Sequence, residues 1–126
     1  MEKSVSFFFE SYAVALLSLS PEEISKFYQV PMAVYSDYGV TTVNNEEEVL
    51  AFWEQGVKPY ARMNIAKAVP EVFNLEQLSE KVFIAKVHWT NYDSLNKNVG
   101  EETNFYILMQ FSDGLKITGL VIMSSE

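Results

Sequence analysis

Residues 81–123 read KVFIAKVHWTNYDSLNKNVGEETNFYILMQFSDGLKITGLVIM. Lys81 to Tyr92 alternates in character, Gly100 to Phe111 alternates again, and Leu115 to Met123 forms a third run. A period of two is the signature of a strand with one buried face. The linkers Ser94-Leu95-Asn96-Lys97-Asn98 and Ser112-Asp113-Gly114 are short and turn-forming, so the runs fold back on one another as antiparallel neighbours. Residues 64–79 add a less regular strand, in which Pro70 marks a bulge or a sheet edge. The second half of the chain is therefore one meander.

Upstream, the period changes. Val5, Phe8, Phe9, Tyr12, Leu16 and Leu19 recur at spacings of three and four, giving a helix over 4–19. Phe7, Val14 and Leu17 make its opposite side apolar too, which predicts a helix buried on most sides across a concave sheet. Ser20-Pro21-Glu22-Glu23 begins a second, short helix, with Ser20 as cap, Pro21 at the first helical position and Glu23 placed to complete a capping box. Met32 to Val43 reads as a hairpin turning at Asp37-Tyr38-Gly39. Asn44 or Asn45 caps a third helix whose first turn carries Glu46, Glu47 and Glu48. Negative charge is favoured there by the helix dipole, and adjacent helical positions diverge, so the three do not form a metal site. Val49, Trp53, Val57 and Tyr60 form that helix's stripe, and Gly56 and Pro59 break its last turns. Helices beside one large antiparallel sheet define an α+β fold with a curved sheet.

At 126 residues the chain makes one domain, 1–126. Its net charge of −8, with eight Lys scattered singly and one Arg, argues against nucleic acid and anionic membranes as partners. Without cysteine there is no thiol catalysis, thiolate metal site or disulfide. The opening MEKSVSFFFESYAVALLSLS is not read as a signal peptide, because Glu10 interrupts it and no A-x-A site follows. It is also too short and polar to span a bilayer, so a cytoplasmic location is expected. No metal or other cofactor is expected.

Certain local stretches resemble the nuclear transport factor 2-like superfamily: Lys26-Phe27-Tyr28, Asn44-Asn45-Glu46-Glu47-Glu48-Val49, Tyr60-Ala61-Arg62, Val87-His88-Trp89-Thr90-Asn91-Tyr92-Asp93 and Ser112-Asp113-Gly114-Leu115-Lys116-Ile117. Together with the order of elements, the resemblance covers nearly the whole chain and is strongest to an uncharacterised bacterial branch. It implies a cystatin-like cone, a curved sheet wrapped around a long N-terminal helix and enclosing a pocket. The superfamily includes ketosteroid isomerases, polyketide cyclases, dehydratases and non-catalytic association domains, so fold alone assigns no chemistry.

Against the isomerase pattern, whose pKa tuning is a standard worked case, Tyr12 falls at the helix tyrosine. Ser36 falls at the base position with Asp37 one residue later, and apolar Ile107 falls at the oxyanion aspartate. One role is kept, one is shifted by a residue and one is lost. His88 is the only histidine, and parity puts it on the outer sheet face, too isolated for a metal site. Arg62, the only arginine, either clamps an anionic ligand at the pocket mouth or serves structure. Strand parity and the resemblance predict a cavity lined by Tyr12, Trp53, Trp89, Phe105, Ile107 and Met109, with Phe111 on the same face of its strand. They put His88, Thr90, Tyr92, Asn104, Tyr106 and Leu108 on an outer face suited to homodimerisation.

Three functions remain open at this stage. The first is a binding module for a small, largely apolar molecule, with Tyr12, Asp37 and Arg62 as polar anchors. The second is a lyase or isomerase-type enzyme with Asp37 as base and Tyr12 as hydrogen-bond donor. The third is a non-catalytic dimeric assembly domain whose cavity is filled by its own side chains.

Overall fold

The computed structural model describes residues 2–123. In chain order the elements are α1 (Glu2–Leu17), α2 (Pro21–Ser25), β1 (Tyr28–Ser36), β2 (Gly39–Val43), α3 (Glu46–Gly56), α4 (Lys58–Arg62), β3 (Lys67–Gln77), β4 (Val82–Tyr92), β5 (Asn98–Phe111) and β6 (Gly114–Ile122). The six strands form one mixed sheet in the order β2-β1-β6-β5-β4-β3. Neighbours run antiparallel except β1 and β6, which are parallel. The α+β architecture and the four-strand meander are as the sequence implies.

Local chemistry sets the boundaries. Leu19, beyond the end of α1, takes a left-handed conformation with φ of 59°. Ser20 Oγ then accepts from the Glu23 N–H at 3.3 Å, with Pro21 in the first turn of α2. The Glu23 carboxylate does not complete the capping box and pairs with Lys26 at 3.2 Å instead. At α3 the cap is reciprocal. Asn45 Oδ1 accepts from the Glu48 N–H at 2.9 Å, and Glu48 Oε1 accepts from the Asn44 N–H at 2.9 Å. The helix stops at Gly56, and Pro59 starts the separate turn α4. β3, with Pro70, lies at the sheet edge and carries a bulge between Val72 and Asn74.

α1 lies across the concave face of the sheet. Val5, Phe9, Tyr12, Ala13 and Leu16 are buried there against Phe83, Ala85, Val87, Trp89, Tyr106 and Leu108. The Phe9 and Tyr106 rings sit 4.8 Å apart, and the Phe9 and Trp89 rings 6.4 Å apart. The expectation that α1 is enclosed on most sides does not hold: Phe7 is 69% and Val14 70% exposed. The sheet is a single layer that covers one side of the helix, and among the described residues no element packs over Phe7 and Val14.

Phe9 has no exposed surface. Phe9→Ala is expected to cost about 3–5 kcal/mol of unfolding free energy, whereas Phe7→Ala changes stability by less than about 0.5 kcal/mol. Urea denaturation of the two variants side by side checks the contrast.

Candidate functional site

The strand pairing fixes what faces the interior. Ala85 pairs with Tyr106, Val87 with Asn104 and Trp89 with Glu102. Ala85, Val87 and Trp89 are buried, so Tyr106, Asn104 and Glu102 share their face. The outer set is Lys86 opposite Phe105, Ile84 opposite Ile107 and Val82 opposite Met109. The Lys86 ammonium lies 5.8 Å from the centre of the Phe105 ring, and Ile107 lies over Gly119 of β6. Phe105, Ile107 and Met109 therefore line the outer face, not the cavity. Asn104, Tyr106 and Leu108 are buried inside, not on the presumed dimer surface. Parity failed on β5 because both its faces carry apolar residues. The polar-looking set, Glu102, Asn104 and Tyr106, is the one with partners inside.

Those partners form a network. Trp89 Nε1 donates to the Tyr106 hydroxyl at 2.9 Å, and Asn104 Nδ2 reaches the same oxygen at 3.5 Å. The Tyr12 and Tyr28 hydroxyls are hydrogen-bonded to each other. Burial pushes the Tyr12 and Tyr28 hydroxyls far above the ordinary phenol range, and Tyr106 is raised for the same reason. All three stay neutral at any physiological pH. Tyr12, with Trp53, Trp89, Tyr28 and Tyr106 around it at ring separations of 5.9–6.5 Å, plugs the middle of the cone.

Beyond that plug the interior opens toward a polar wide end. The Tyr60 hydroxyl of α4 donates to Glu102 Oε1 of β5 at 3.3 Å, a contact between residues 42 positions apart. Glu102 is solvent-accessible at the mouth, yet crowding by the walls removes enough water to raise its carboxyl above the ordinary value, with the Tyr60 hydrogen bond opposing. The Tyr60 hydroxyl is pushed up strongly, first by burial and then by its neighbours Glu102, Tyr106 and Tyr28. Asn91 Oδ1 is buried without a protein partner, and the Trp53 indole N–H faces the Tyr28 hydroxyl within the plug. Asn91 is buried between Ala68 of β3 and Gly100 of β5. Outside, a cleft of about 540 Å³ is bounded by Leu19, Tyr60, Ile65, Asp93 and Leu95, and Tyr60 belongs to both cleft and mouth.

The remaining expected site residues are not brought together. Asp37 is exposed in the β1–β2 turn, whereas the Tyr12 hydroxyl is buried against Tyr28, so the two do not form an acid–base pair. Arg62, the last residue of α4, is exposed. His88 is on the outer face as parity predicts. Its Nδ1 lies 2.9 Å from Thr103 Oγ1 and its Nε2 2.8 Å from Glu101 Oε1, bracing β4 against β5. Sequence reading missed Tyr28, Tyr60, Asn91, Glu102 and Asn104. A polar run on a strand facing a tryptophan-bearing strand was the available signal.

Fold and site together define a cone-shaped α+β domain with an aromatic interior and a polar wide end. A family model described as "NTF2-like protein (DUF6841)" matches residues 2–125, and the chain belongs to that family. No curated protein matches the sequence. Among solved structures, a domain of unknown function with a cystatin-like fold from Nostoc punctiforme is 15% identical with a TM-score of 0.73, covering 99% of this chain and 77% of that one. An NTF-2 like protein of unknown function from Shewanella oneidensis is 13% identical with a TM-score of 0.73, covering 98% of each chain. A ketosteroid isomerase-like protein from Erwinia carotovora atroseptica is 8% identical with a TM-score of 0.67, covering 98% and 95%. At these identities the likeness is one of fold. Among the described residues no helix is long and apolar enough to cross a membrane.

Two variants probe the network. Tyr106→Phe leaves the Trp89 N–H buried without an acceptor and is expected to cost about 1–3 kcal/mol in urea denaturation. For Glu102, the raised pKa means the folded state holds the proton more tightly than the unfolded one. Its contribution to stability therefore falls as pH rises from the ordinary carboxylate value through the raised one. Glu102→Gln is expected to gain stability relative to the parent between about pH 4 and about pH 7. Paired denaturation curves across that range read the sign directly.

Proposed function

We propose that this protein is a cytoplasmic, dimeric binding module that holds a small, largely apolar molecule at the wide end of its cone. The observation carrying the reading is the buried amide oxygen of Asn91, which has no protein partner. A buried acceptor left without a partner costs free energy that a ligand's own donor can offset. The adjoining cleft of about 540 Å³ is within the size range of small-molecule sites. Tyr60, Asn91 and Glu102 take the place of Tyr12, Asp37 and Arg62 as polar anchors, while Tyr12, Trp53 and Trp89 form the floor.

The second reading, an assembly domain with a self-filled interior, draws support from the plug of Tyr12, Tyr28, Trp89 and Tyr106, each less than 8% exposed. The two readings share one surface. Phe105, Ile107 and Met109 join His88, Thr90 and Tyr92 on the outer face, and Phe73 stands against His88 with 54% of its surface exposed. An apolar sheet face of this kind suits a second copy.

Native mass spectrometry of the purified protein, compared with its denatured mass, separates them. The binding reading expects extra mass on the folded species that is lost on denaturation. A bare dimer that takes up no small molecule would favour the assembly reading. Ile107→Asp is expected to shift the dimer to monomer in sedimentation velocity while leaving the far-ultraviolet circular dichroism unchanged.

A further inference from the structure

Resting on the binding reading above, the arrangement of charge and aromatic faces at the wide end narrows the class of ligand. Two acceptors face the mouth. Glu102 offers a carboxylate, of which one oxygen receives the Tyr60 hydroxyl, and Asn91 Oδ1 is unpartnered. The Tyr60 proton is already donated to Glu102, and the Tyr106 oxygen already receives the Trp89 N–H. The donors at this end are neutral, the amide N–H groups of Asn91 and Asn104, while the Trp53 N–H faces the Tyr28 hydroxyl within the plug.

The charge is equally one-sided. Among the described residues, no salt bridge involves Glu102. The adjoining cleft has Asp93 as its charged wall and no lysine or arginine lining it. Asp93 is held in place by accepting from the Leu95 and Lys97 N–H groups, each at 2.9 Å. A carboxylate set among tyrosines with no cationic partner is a poor neighbour for a ligand anion and a good one for a cation. Aromatic rings attract a desolvated ammonium, and the rings of Tyr28 and Trp53, each 7% exposed, wall the interior behind Tyr60. Tyr60, close enough to Tyr28, Tyr106 and Glu102 for each to disfavour its ionisation, supplies another.

We infer that the molecule held at the wide end is a small organic cation, an ammonium group on an apolar body. The ammonium pairs with the free oxygen of Glu102 and with Asn91 Oδ1, and the apolar body lies against Tyr60 and the Leu19–Leu95 cleft. A positive head group neutralises the Glu102 carboxylate, which has no ionic partner among the described residues. A carboxylate or phosphate ligand would face Glu102 and Asp93 without a basic residue to hold it.

The test uses one ring with three head groups: benzylammonium, benzyl alcohol and benzoate, titrated into the full chain at neutral pH and followed by the fluorescence of Trp53 and Trp89 and by calorimetry. Benzylammonium is expected to bind at least tenfold more tightly than benzyl alcohol, and benzoate more weakly than either. In Glu102→Gln the preference for benzylammonium over the alcohol is expected to shrink below threefold, with a circular dichroism melt confirming that the variant is folded. Benzyl alcohol or benzoate binding as tightly as benzylammonium in the parent protein overturns the cation assignment and leaves the binding reading standing. Failure of all three probes to bind at millimolar concentration, together with an unliganded native mass, overturns both.

Discussion

The hydrogen bond from the Trp89 indole to the Tyr106 hydroxyl decides which way the longest strand faces. Trp89 belongs to β4, whose parity is unambiguous: Phe83, Ala85, Val87, Trp89 and Asn91 all point inward. An indole N–H taken that deep needs an acceptor; Glu102, directly opposite, receives the Tyr60 hydroxyl at the mouth, and the Tyr106 hydroxyl, opposite Ala85, accepts the indole. Once Tyr106 is turned in, Glu102, Asn104 and Leu108 follow, because side chains on one strand face alternate without exception between bulges. α1 then packs its Phe9 and Tyr12 rings on this surface. The mouth acquires its carboxylate from the same choice. A single interior donor thus sets both the core and the chemistry of the open end.

That dependence explains how much of the protein was legible in its residues. The capping at Ser20 and Asn45, the break at Gly56 and Pro59, the turns at Asp37-Tyr38-Gly39 and Ser112-Asp113-Gly114, and the faces of β4 are all local consequences of backbone geometry and side-chain size, and they read directly. The face of β5 is not local. Phe105, Ile107 and Met109 outweigh Tyr106 and Leu108 in apolar character, so hydrophobicity by itself points the wrong way. The true orientation depends on a pairing partner 17 residues upstream. The candidate site shares that difficulty. Tyr60 and Glu102 meet only because α4 folds back over the mouth, and nothing in either residue's neighbourhood in sequence announces the other. The expected pairing of Asp37 with Tyr12 is absent for a comparable reason: Asp37 lies near the isomerase base in linear order, but a hairpin turn carries it into solvent.

The interior is thereby divided. Its narrow part is filled by rings in mutual edge contact, with hydroxyls paired to each other and held neutral by burial. Its wide part keeps an ionisable group open to solvent and a buried amide oxygen without a protein partner. Packing of the first kind favours stability, and the second kind tolerates a cost in stability that only recognition would repay. The outer face shows a parallel division, with the His88–Thr103–Glu101 brace toward one end and the Phe105, Ile107 and Met109 row toward the other.

The parallel pairing of β1 with β6 places the chain's early and late segments side by side: Ala33 meets Gly119, and Tyr35 meets Val121. β1 has only the short β2 beside it until those residues arrive. On a ribosome, the first third of the chain would therefore emerge with one edge of its hairpin unpaired and with the aromatic face of α1 uncovered, since the meander that shields both is made last. Joining strands so distant in sequence carries a loop-closure penalty that slows folding. The nascent chain must remain free of edge-to-edge association throughout that delay. The run Glu46-Glu47-Glu48, which immediately follows the hairpin and lies exposed in solvent, gives that waiting segment a block of repelling charge.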